Sequence, residues 1–177
     1  MKPPPAGPDS LRVALQVVAR RPWVPGPVAV RKWARAAHAA GLGALSPRAR
    51  KDLAAGRANL CVRIVGLAES RRLDRDYRGK DMPTNVLSFP ASSTERAAAA
   101  ALGDLVICAP VVAAEAKEQG KALAAHWAHM VAHGTLHLLG FDHVSTRHAR
   151  VMERLEVEIL GRFGYPDPYR TRSGSLA

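Results

Sequence analysis

Five of the seven histidines of this chain lie between positions 126 and 143, in the sequence HWAHMVAHGTLHLLGFDH. His126, His129, His133 and His137 are separated by three, four and four residues, so on an α-helix they share one stripe. One ion cannot bind all four, because a rise of about 1.5 Å per residue separates the Cα atoms of His129 and His137 by about 12 Å, whereas Zn–N bonds are about 2.0–2.1 Å. A metal ion would therefore take one i, i+4 pair, and the partner that completes the site decides which pair.

The third ligand is expected to come from just beyond this helix. Gly140 follows the last predicted turn and can adopt the left-handed conformation that reverses the chain, which would bring His143 beside His133 and His137. Three imidazoles with a fourth position open to water are typical of a catalytic zinc site, whereas structural zinc sites are closed by four protein ligands. We therefore predict one Zn²⁺ ion on these three histidines. The other two histidines of the stripe, His126 and His129, are expected to support the ligands or to form a polar helix edge.

The spacing of His133, His137, Gly140 and His143 also matches the H-E-x-x-H-x-x-G-x-x-H pattern of metzincin proteases except at one position. Gly134 occupies the place of the glutamate that acts as general base in that pattern. Because glycine cannot accept a proton, the peptidase interpretation lacks the residue on which its chemistry depends. A site without this base suits a substrate whose reaction is helped mainly by neutralising charge on oxygen, such as a phosphodiester. A metzincin-like metalloprotease remains an alternative.

The chain length and the hydrophobic patterning predict one α+β domain. The 177 residues are 47% hydrophobic and 23% charged, which is enough chain and enough apolar surface for a core without disulfides. The predicted strands are 11–18, 59–65, 84–89 and 104–108, and the predicted helices are 27–40, 68–76, 110–119, 121–139 and 146–162. The segment 90–102 is expected to be a loop. We expect a four-stranded mixed sheet packed with about five helices, with the metal site at the end of the central histidine-bearing helix.

The ends of the chain and its cysteines carry fewer signals. We expect a flexible Pro-rich arm at 1–9, a single domain at 10–169 and a flexible tail at 170–177. Cys61 and Cys108 form neither a disulfide framework nor a CxxC pair, and we expect two buried thiols. No run approaches the roughly 20 apolar residues of a membrane helix, and the N-terminal residues lack an apolar signal segment. A cytoplasmic protein without membrane contact is therefore expected.

Basic residues are concentrated in the first part of the chain. The sequence has 26 basic and 15 acidic residues, a net charge of +11. Residues 1–80 contain 17 basic and 5 acidic residues, whereas 81–177 contain 9 and 10. This imbalance favours a polyanionic partner, with nucleic acid ahead of a membrane surface. An arginine-rich background composition would explain the charge equally well.

The segment HGTLHLLGFDH (133–143) resembles the signature of the YbeY family, bacterial single-domain metalloproteins that act as endoribonucleases in ribosomal RNA maturation and quality control. Similarity to the family continues in RGKDMPTNVLSFP (78–90), GDLVICAPVV (103–112), HWAHM (126–130) and MERLEVEILGRFGYPDPY (152–169). The resemblance thus runs from about residue 75 to 169, and the N-terminal third is similar only in pattern.

The resemblance implies roles for individual residues. It implies zinc ligands at His133, His137 and His143, and a functional arginine at Arg78, which together are the candidate catalytic residues. A guanidinium binds phosphate with two parallel hydrogen bonds and stabilises developing negative charge. Three further residues are candidates for supporting a ligand or contacting RNA: Lys80, His129 and Asp142. Three polar residues are expected to stabilise the strand edge next to the site: Thr84, Asn85 and Ser88. Three acids of the last helix are expected to face solvent or to pair locally: Glu153, Glu156 and Glu158.

These observations predict a cytoplasmic, zinc-dependent endoribonuclease that acts on single-stranded regions of ribosomal RNA, including 3′-end maturation of 16S rRNA and ribosome quality control. Its expected partners are ribosomal RNA, especially that of the small subunit, and, from the resemblance, a small-subunit ribosomal protein and a ribosome-assembly GTPase. DNA is not an expected partner. Besides the protease, a second alternative is a non-catalytic ribosome-assembly factor with structural zinc, which a fourth protein ligand would favour.

Overall fold

The computed structural model describes residues 11–19, 23–53 and 58–170, and within these ranges it contains four strands and seven helices. The strands are β1 (Leu11–Val17), β2 (Ala58–Val65), β3 (Val86–Pro90) and β4 (Ala101–Cys108). The helices are α1 (Pro27–Ala44), α2 (Pro47–Leu53), α3 (Leu67–Arg78), α4 (Ser93–Ala99), α5 (Ala109–Glu118), α6 (Leu123–Leu138) and α7 (Thr146–Gly161). The predicted arm at 1–9, and all but the first residue of the predicted tail at 170–177, lie outside the described residues. Across the described ranges, no helix combines the length and apolar character that a membrane crossing requires.

The four strands form one mixed sheet in the order β1-β2-β4-β3. β1, β2 and β4 run parallel, and β3 pairs antiparallel with β4. In the parallel part, Val62 of β2 lies opposite Leu15 of β1 and Leu105 of β4. Helices connect the parallel strands, as such strands need crossover connections. The predicted α+β class and four-stranded mixed sheet are confirmed.

Helix α6 lies at the centre of the main hydrophobic core. Its Trp127 and Val131 pack in one buried cluster with Leu60 and Leu105 of the sheet and Trp33 of α1. A smaller cluster contains residues of β2, β3 and β4: Val65, Leu87, Val106 and Cys108. Cys108 is therefore buried as expected, whereas the other cysteine is only half-buried. Because α6 contacts α1, α5, α7, β3 and β4, its histidines are presented from a firmly packed helix.

Two short helices, α2 and α4, depart from the sequence-based expectation. The segment 90–102, expected to be a loop, contains α4 and the start of β4. The Ser92 side chain accepts a hydrogen bond from the Glu95 amide, and the Glu95 carboxylate accepts one from the Ser92 amide at 2.7 Å, which forms a capping box. In α2, Pro47 is the first helical residue, a position that suits proline. Each helix has seven residues, too few for hydrophobic periodicity to distinguish it from a loop.

The buried His38 of α1 is expected to make folding stability depend on pH. Burial lowers the pKa of His38 from its ordinary 6.5 to about 4. Between these values the unfolded chain binds a proton that the folded chain does not, so acidification favours unfolding and the contribution is regained as the pH rises through this window. We expect His38 to account for a loss of about 3 kcal/mol in the free energy of unfolding between pH 6.5 and 4. Denaturant titrations across this range should show a shallower pH dependence for His38→Leu than for the wild type, and equal slopes would contradict the prediction.

Candidate metal centre

Three imidazoles meet at the C-terminal end of α6. His133 and His137 lie one helical turn apart, and their Nε2 atoms are 3.1 Å from each other. The ring of His143 is centred 5.0 Å from that of His133 and 5.2 Å from that of His137. Each residue offers one ligand atom within 4.8 Å of the others, a separation that one ion with metal–nitrogen bonds of about 2 Å can bridge. We refer to these three residues as the imidazole cluster.

A chain reversal after α6 brings His143 into the imidazole cluster. Gly140 has a positive φ of 94°, which glycine adopts without a steric penalty. The Gly140 amide donates to the His137 carbonyl at 2.9 Å, and the Phe141 amide donates to the Leu136 carbonyl at 3.1 Å, the two bonds of a Schellman motif. Phe141 then packs against the hydrophobic clusters. The chain is therefore anchored two residues before His143.

Glu156 of α7 lies buried behind the imidazole cluster, so the expectation that it faces solvent or pairs locally is wrong. Its side chain is 0% exposed, and Nδ1 of His133 donates to its Oε1 at 2.7 Å. The reason is its position on the helix, because Glu156 is four residues from both Met152 and Leu160 on the buried face of α7. This i, i+4 relation to apolar residues was the sequence signal that could have found Glu156.

Glu156 is also the centre of a buried hydrogen-bond network. The hydroxyl of Tyr169 donates to Oε2 of Glu156, and Nε2 of His129 lies 3.4 Å from the same oxygen. Burial alone raises the pKa of Glu156, but hydrogen bonds from His129 and His133, together with their electrostatic attraction for the carboxylate, outweigh it and lower the pKa to about 2. Burial, followed by the bond to Glu156, raises the pKa of Tyr169. Glu156 is therefore an anion whose oxygens accept from the surrounding side chains.

The charge and tautomer of the histidines fit a metal ion. Because Nδ1 of His133 donates to the Glu156 carboxylate, the proton stays on Nδ1 and the lone pair of Nε2 faces His137. Burial lowers the pKa of His137, and the charges of His133 and His143 lower it further. The neutral imidazole, which is the form that binds metals, is thereby favoured. Three imidazole nitrogen donors suit a divalent transition-metal ion or zinc.

We expect Glu156→Gln to weaken metal binding by about 10- to 100-fold. Glutamine fills a similar volume, but its uncharged carbonyl is a weaker acceptor for Nδ1 of His133, so the imidazole is less basic and less firmly oriented. Competition with a chromophoric chelator measures this affinity without an activity assay. Glu158→Gln is the matched control, because Glu158 is exposed on the same helix and pairs with Arg162 at 2.6 Å. An unchanged affinity in Glu156→Gln would show that this carboxylate does not position the ligand.

The imidazole cluster borders a cleft of about 590 Å³. His133 and His137 form one part of its lining, Tyr77 and Arg78 at the end of α3 form another, and residues 84–90 complete it. The cleft is much larger than a single ion requires, so a substrate can lie beside the metal centre.

Arg78 reaches this cleft from the last turn of α3. The helix ends at Gly79, which adopts the left-handed conformation with φ of 69°. Nη1 of Arg78 lies 3.4 Å from Oδ1 of Asp74, a residue that is 1% exposed, whereas the Arg78 side chain is 46% exposed. A buried anion thus holds one side of a guanidinium that remains accessible to a ligand. The i, i+4 spacing of Asp74 and Arg78 was visible in the sequence, but the burial of Asp74 was not.

Two other candidates lie outside the imidazole cluster. Lys80 follows the end of α3 and is exposed. Asp142 accepts hydrogen bonds from the Val144 amide at 3.0 Å and from Nδ1 of His148 at 3.1 Å. The histidine that Asp142 contacts is therefore His148. Glu153, a further acidic residue of α7, is half-buried.

His126 supports the wall of the cleft. Its Nε2 lies 2.7 Å from Oε2 of Glu115, and both oxygens of Glu115 accept from Nδ2 of Asn85 at 3.1 and 3.2 Å. Burial lowers the pKa of His126 despite the opposing effect of Glu115, so the neutral imidazole donates to the carboxylate. Oδ1 of Asn85 accepts from the Val86 amide at 2.7 Å, which fixes the start of β3.

Thr84 and Ser88 also make contacts that hold the strand edge in place. The Ser70 hydroxyl accepts from the Thr84 amide at 3.0 Å and donates to the Thr84 carbonyl at 2.9 Å. The Ser88 hydroxyl donates to the Gly134 carbonyl at 3.4 Å, which links β3 to α6 next to His133. The side chains of Ser70 and Ser88 therefore connect this region to neighbouring helices, and Thr84 takes part through its backbone.

Gly134 explains why this helix cannot carry the metzincin base. A Cβ atom at position 134 would lie 2.7 Å from Cδ2 of Leu105 and 3.2 Å from Cγ2 of Val86. Position 134 thus faces the sheet at a close contact, so that a side chain there requires Leu105 and Val86 to shift. A glutamate there would have to displace the side chains of Leu105 and Val86.

Comparison with known proteins identifies relatives over most of the chain. A family model described as Endoribonuclease YbeY matches residues 33–164. The chain is 53% identical to a protein named Endoribonuclease YbeY from Alkalilimnicola ehrlichii over 87% of both chains. It is 49% identical to the protein of the same name from Stenotrophomonas maltophilia, over 92% of this chain and 96% of that protein. The solution structure of a Thermotoga maritima protein is similar with a TM-score of 0.51 at 20% identity, covering 89% of this chain and 99% of that one, and this likeness concerns the fold alone.

Proposed function

Because this chain belongs to the YbeY endoribonuclease family, we propose that it is a zinc-dependent enzyme that cleaves single-stranded regions of ribosomal RNA. The proposed reactions are 3′-end maturation of 16S rRNA and cleavage during ribosome quality control. Family membership makes the chain a hydrolase that cuts RNA internally. We further propose that residues 10–169 form the catalytic domain and that it acts in the cytoplasm.

The observation that carries this proposal is the cleft that Arg78 shares with His133 and His137, two members of the imidazole cluster. His133, His137 and His143 would hold the ion through one ring nitrogen each, with Glu156 orienting His133. When bound, the ion would supply Lewis-acid chemistry to the scissile phosphodiester. Arg78, which lines the cleft with His133 and His137, would bind the phosphate and stabilise the charge that develops on its oxygens.

The number of ligands supports a catalytic site over a structural one. In the part of the chain that the structure describes, the imidazole cluster offers three side chains that could bind an ion. Structural zinc sites are closed by four protein ligands, whereas catalytic sites keep a position for substrate or water. The non-catalytic assembly factor is therefore the less favoured alternative, and the close packing around Gly134 disfavours the protease.

The charge distribution supports an RNA partner. Residues 1–80 hold 17 basic and 5 acidic residues, so the N-terminal part of the chain can bind a phosphate backbone. We propose small-subunit ribosomal RNA as the main partner. A small-subunit ribosomal protein and a ribosome-assembly GTPase are proposed as protein partners on the resemblance to the family.

The proposal is tested by metal analysis together with mapped cleavage. Purified protein is expected to contain about one zinc ion per chain. Incubation with a chelator should abolish cleavage of a single-stranded RNA that spans the 16S 3′ end, and added zinc should restore it at the same sites. Matched DNA, duplex RNA and a peptide panel serve as alternative substrates.

Cleavage that is insensitive to the chelator would overturn the metal-dependent mechanism. Hydrolysis of peptides without cleavage of RNA would support the protease instead. Salt-sensitive RNA binding without turnover, by protein that retains its metal, would support the assembly factor.

A further inference from the structure

The cleft next to the imidazole cluster contains an aromatic pair that the proposed chemistry does not use. Tyr77 and Phe89 both line the cleft, and their ring centroids are 4.9 Å apart at an interplanar angle of 69°. Phe89 is half-buried on β3, whereas Tyr77 is 68% exposed. Tyr77 therefore contacts Phe89 but leaves most of its surface accessible at the cleft.

Core packing does not account for the position of Tyr77. The core aromatic residues Trp33 and Trp127 are 3% and 1% exposed, so this fold buries large rings where they stabilise it. A single exposed ring is common on protein surfaces and means little by itself. What distinguishes Tyr77 is that it directly precedes Arg78 and lines the same cleft as His133 and His137.

An accessible ring beside a guanidinium is the combination that binds single-stranded nucleic acid. The aromatic ring stacks on a base, and the cation binds the phosphate backbone. In a duplex the bases are already stacked on one another and cannot reach such a ring. We infer that Tyr77, supported by Phe89, is a stacking platform for one nucleobase of single-stranded RNA while Arg78 contacts the adjoining backbone. This inference rests on the proposed function, which it extends to the way the substrate strand is held.

A peptide is the main alternative occupant of this cleft. β3 is an edge strand and could in principle pair with an extended peptide. RNA is favoured because the cleft combines Arg78 and the metal-binding histidines with the exposed ring, so that base, phosphate and metal recognition occur side by side. Pairing of a peptide with the strand edge would make no specific use of Tyr77.

The inference is tested with Tyr77→Leu and Tyr77→Phe in the full-length protein. The probe is a short single-stranded RNA containing 2-aminopurine, whose fluorescence falls when the base stacks on an aromatic ring. Tyr77→Leu keeps an apolar side chain without the ring, and we expect about ten-fold or more weaker RNA binding together with loss of the quenching. Tyr77→Phe keeps the ring and should behave like wild type. Trp23→Leu is the matched control, because Trp23 is 43% exposed and is not among the residues lining the cleft.

An abasic nucleotide scanned along the RNA separates stacking from structural support. At one position, loss of the base should weaken wild-type binding by about the same factor as Tyr77→Leu and should abolish the difference between the two proteins. Equal binding by wild type and Tyr77→Leu, or a deficit that persists with the abasic strand at every position, would overturn the stacking platform. Displacement of bound RNA by an unrelated extended peptide, with binding unchanged in Tyr77→Leu, would assign the cleft to peptides. Tyr77-dependent quenching without RNA cleavage would leave this inference standing and refute the proposed function.

Discussion

Replacement of His137 by alanine is expected to lower kcat/KM for RNA cleavage by about 10³-fold or more, since the ion that it helps to hold contributes several kcal/mol to transition-state stabilisation. Nε2 of His137 is 3.1 Å from Nε2 of His133, and its ring is centred 5.2 Å from that of His143, so it contacts both other members of the imidazole cluster. Two imidazoles hold an ion less tightly than three. Metal content, measured by mass spectrometry, should therefore fall together with the cleavage rate.

The matched control for His137→Ala is His148→Ala. His148 is an exposed histidine that pairs with Asp142 outside the imidazole cluster, and its loss should leave metal content and cleavage unchanged. If identically purified His137→Ala cleaves RNA at the wild-type rate, the activity comes from a contaminating nuclease or from another site. Retention of metal in the variant without activity would instead show that His137 acts in a step other than metal binding.

Replacement of Arg78 by alanine is expected to reduce kcat by about 10²- to 10³-fold while the metal content stays unchanged. The guanidinium lines the cleft with His133 and His137, where it can donate two hydrogen bonds to phosphate oxygens that become more negative during the reaction. Arg78→Lys keeps the positive charge but loses the planar fork, so it should recover only part of the activity. Single-turnover cleavage at saturating enzyme measures this effect without a contribution from product release.

Two controls distinguish the chemical role of Arg78 from a structural one. Removal of Arg78 leaves the buried Asp74 without its cation, so thermal unfolding of each variant has to be recorded alongside the rate. Arg72→Ala removes an exposed arginine from the same helix and should leave kcat unchanged. If Arg78→Ala changed only KM, or if Arg72→Ala lowered kcat as much as Arg78→Ala does, the role of Arg78 would be a general electrostatic attraction of RNA and not a specific phosphate contact.

The imidazole cluster could be predicted because its determinants are local in the sequence. The i, i+4 pair of His133 and His137 needs only a helix, and the return of His143 needs only a glycine that ends the helix at position 140. Both requirements concern residues within a few positions of one another. The long helix α6 was predicted for the same reason, since its pattern extends over several turns.

The contacts of the supporting side chains could not be predicted because the partners come from distant parts of the chain. Glu156 contacts His133 across 23 positions, and Tyr169 reaches His129 across 40. An acidic residue on an amphipathic helix normally faces solvent. The spacing of Glu156 from Met152 and Leu160 indicates the buried face of α7, but its contact with His133 follows only from the packing of α7 against α6. The placement of Tyr77 in the cleft likewise depends on how α3 meets β3, which local periodicity does not reveal.

Helix α7 and the segment after it supply Glu156 and Tyr169, which support the imidazole cluster but are translated after it. His133, His137 and His143 are synthesised before Glu156 and Tyr169, which form the network behind them. A nascent chain therefore carries the metal-binding imidazoles before the carboxylate that orients them, and metal affinity is expected to reach its full value only after α7 has docked. The nuclease would thus reach its full activity only after the chain up to Tyr169 has been synthesised and has folded against α6.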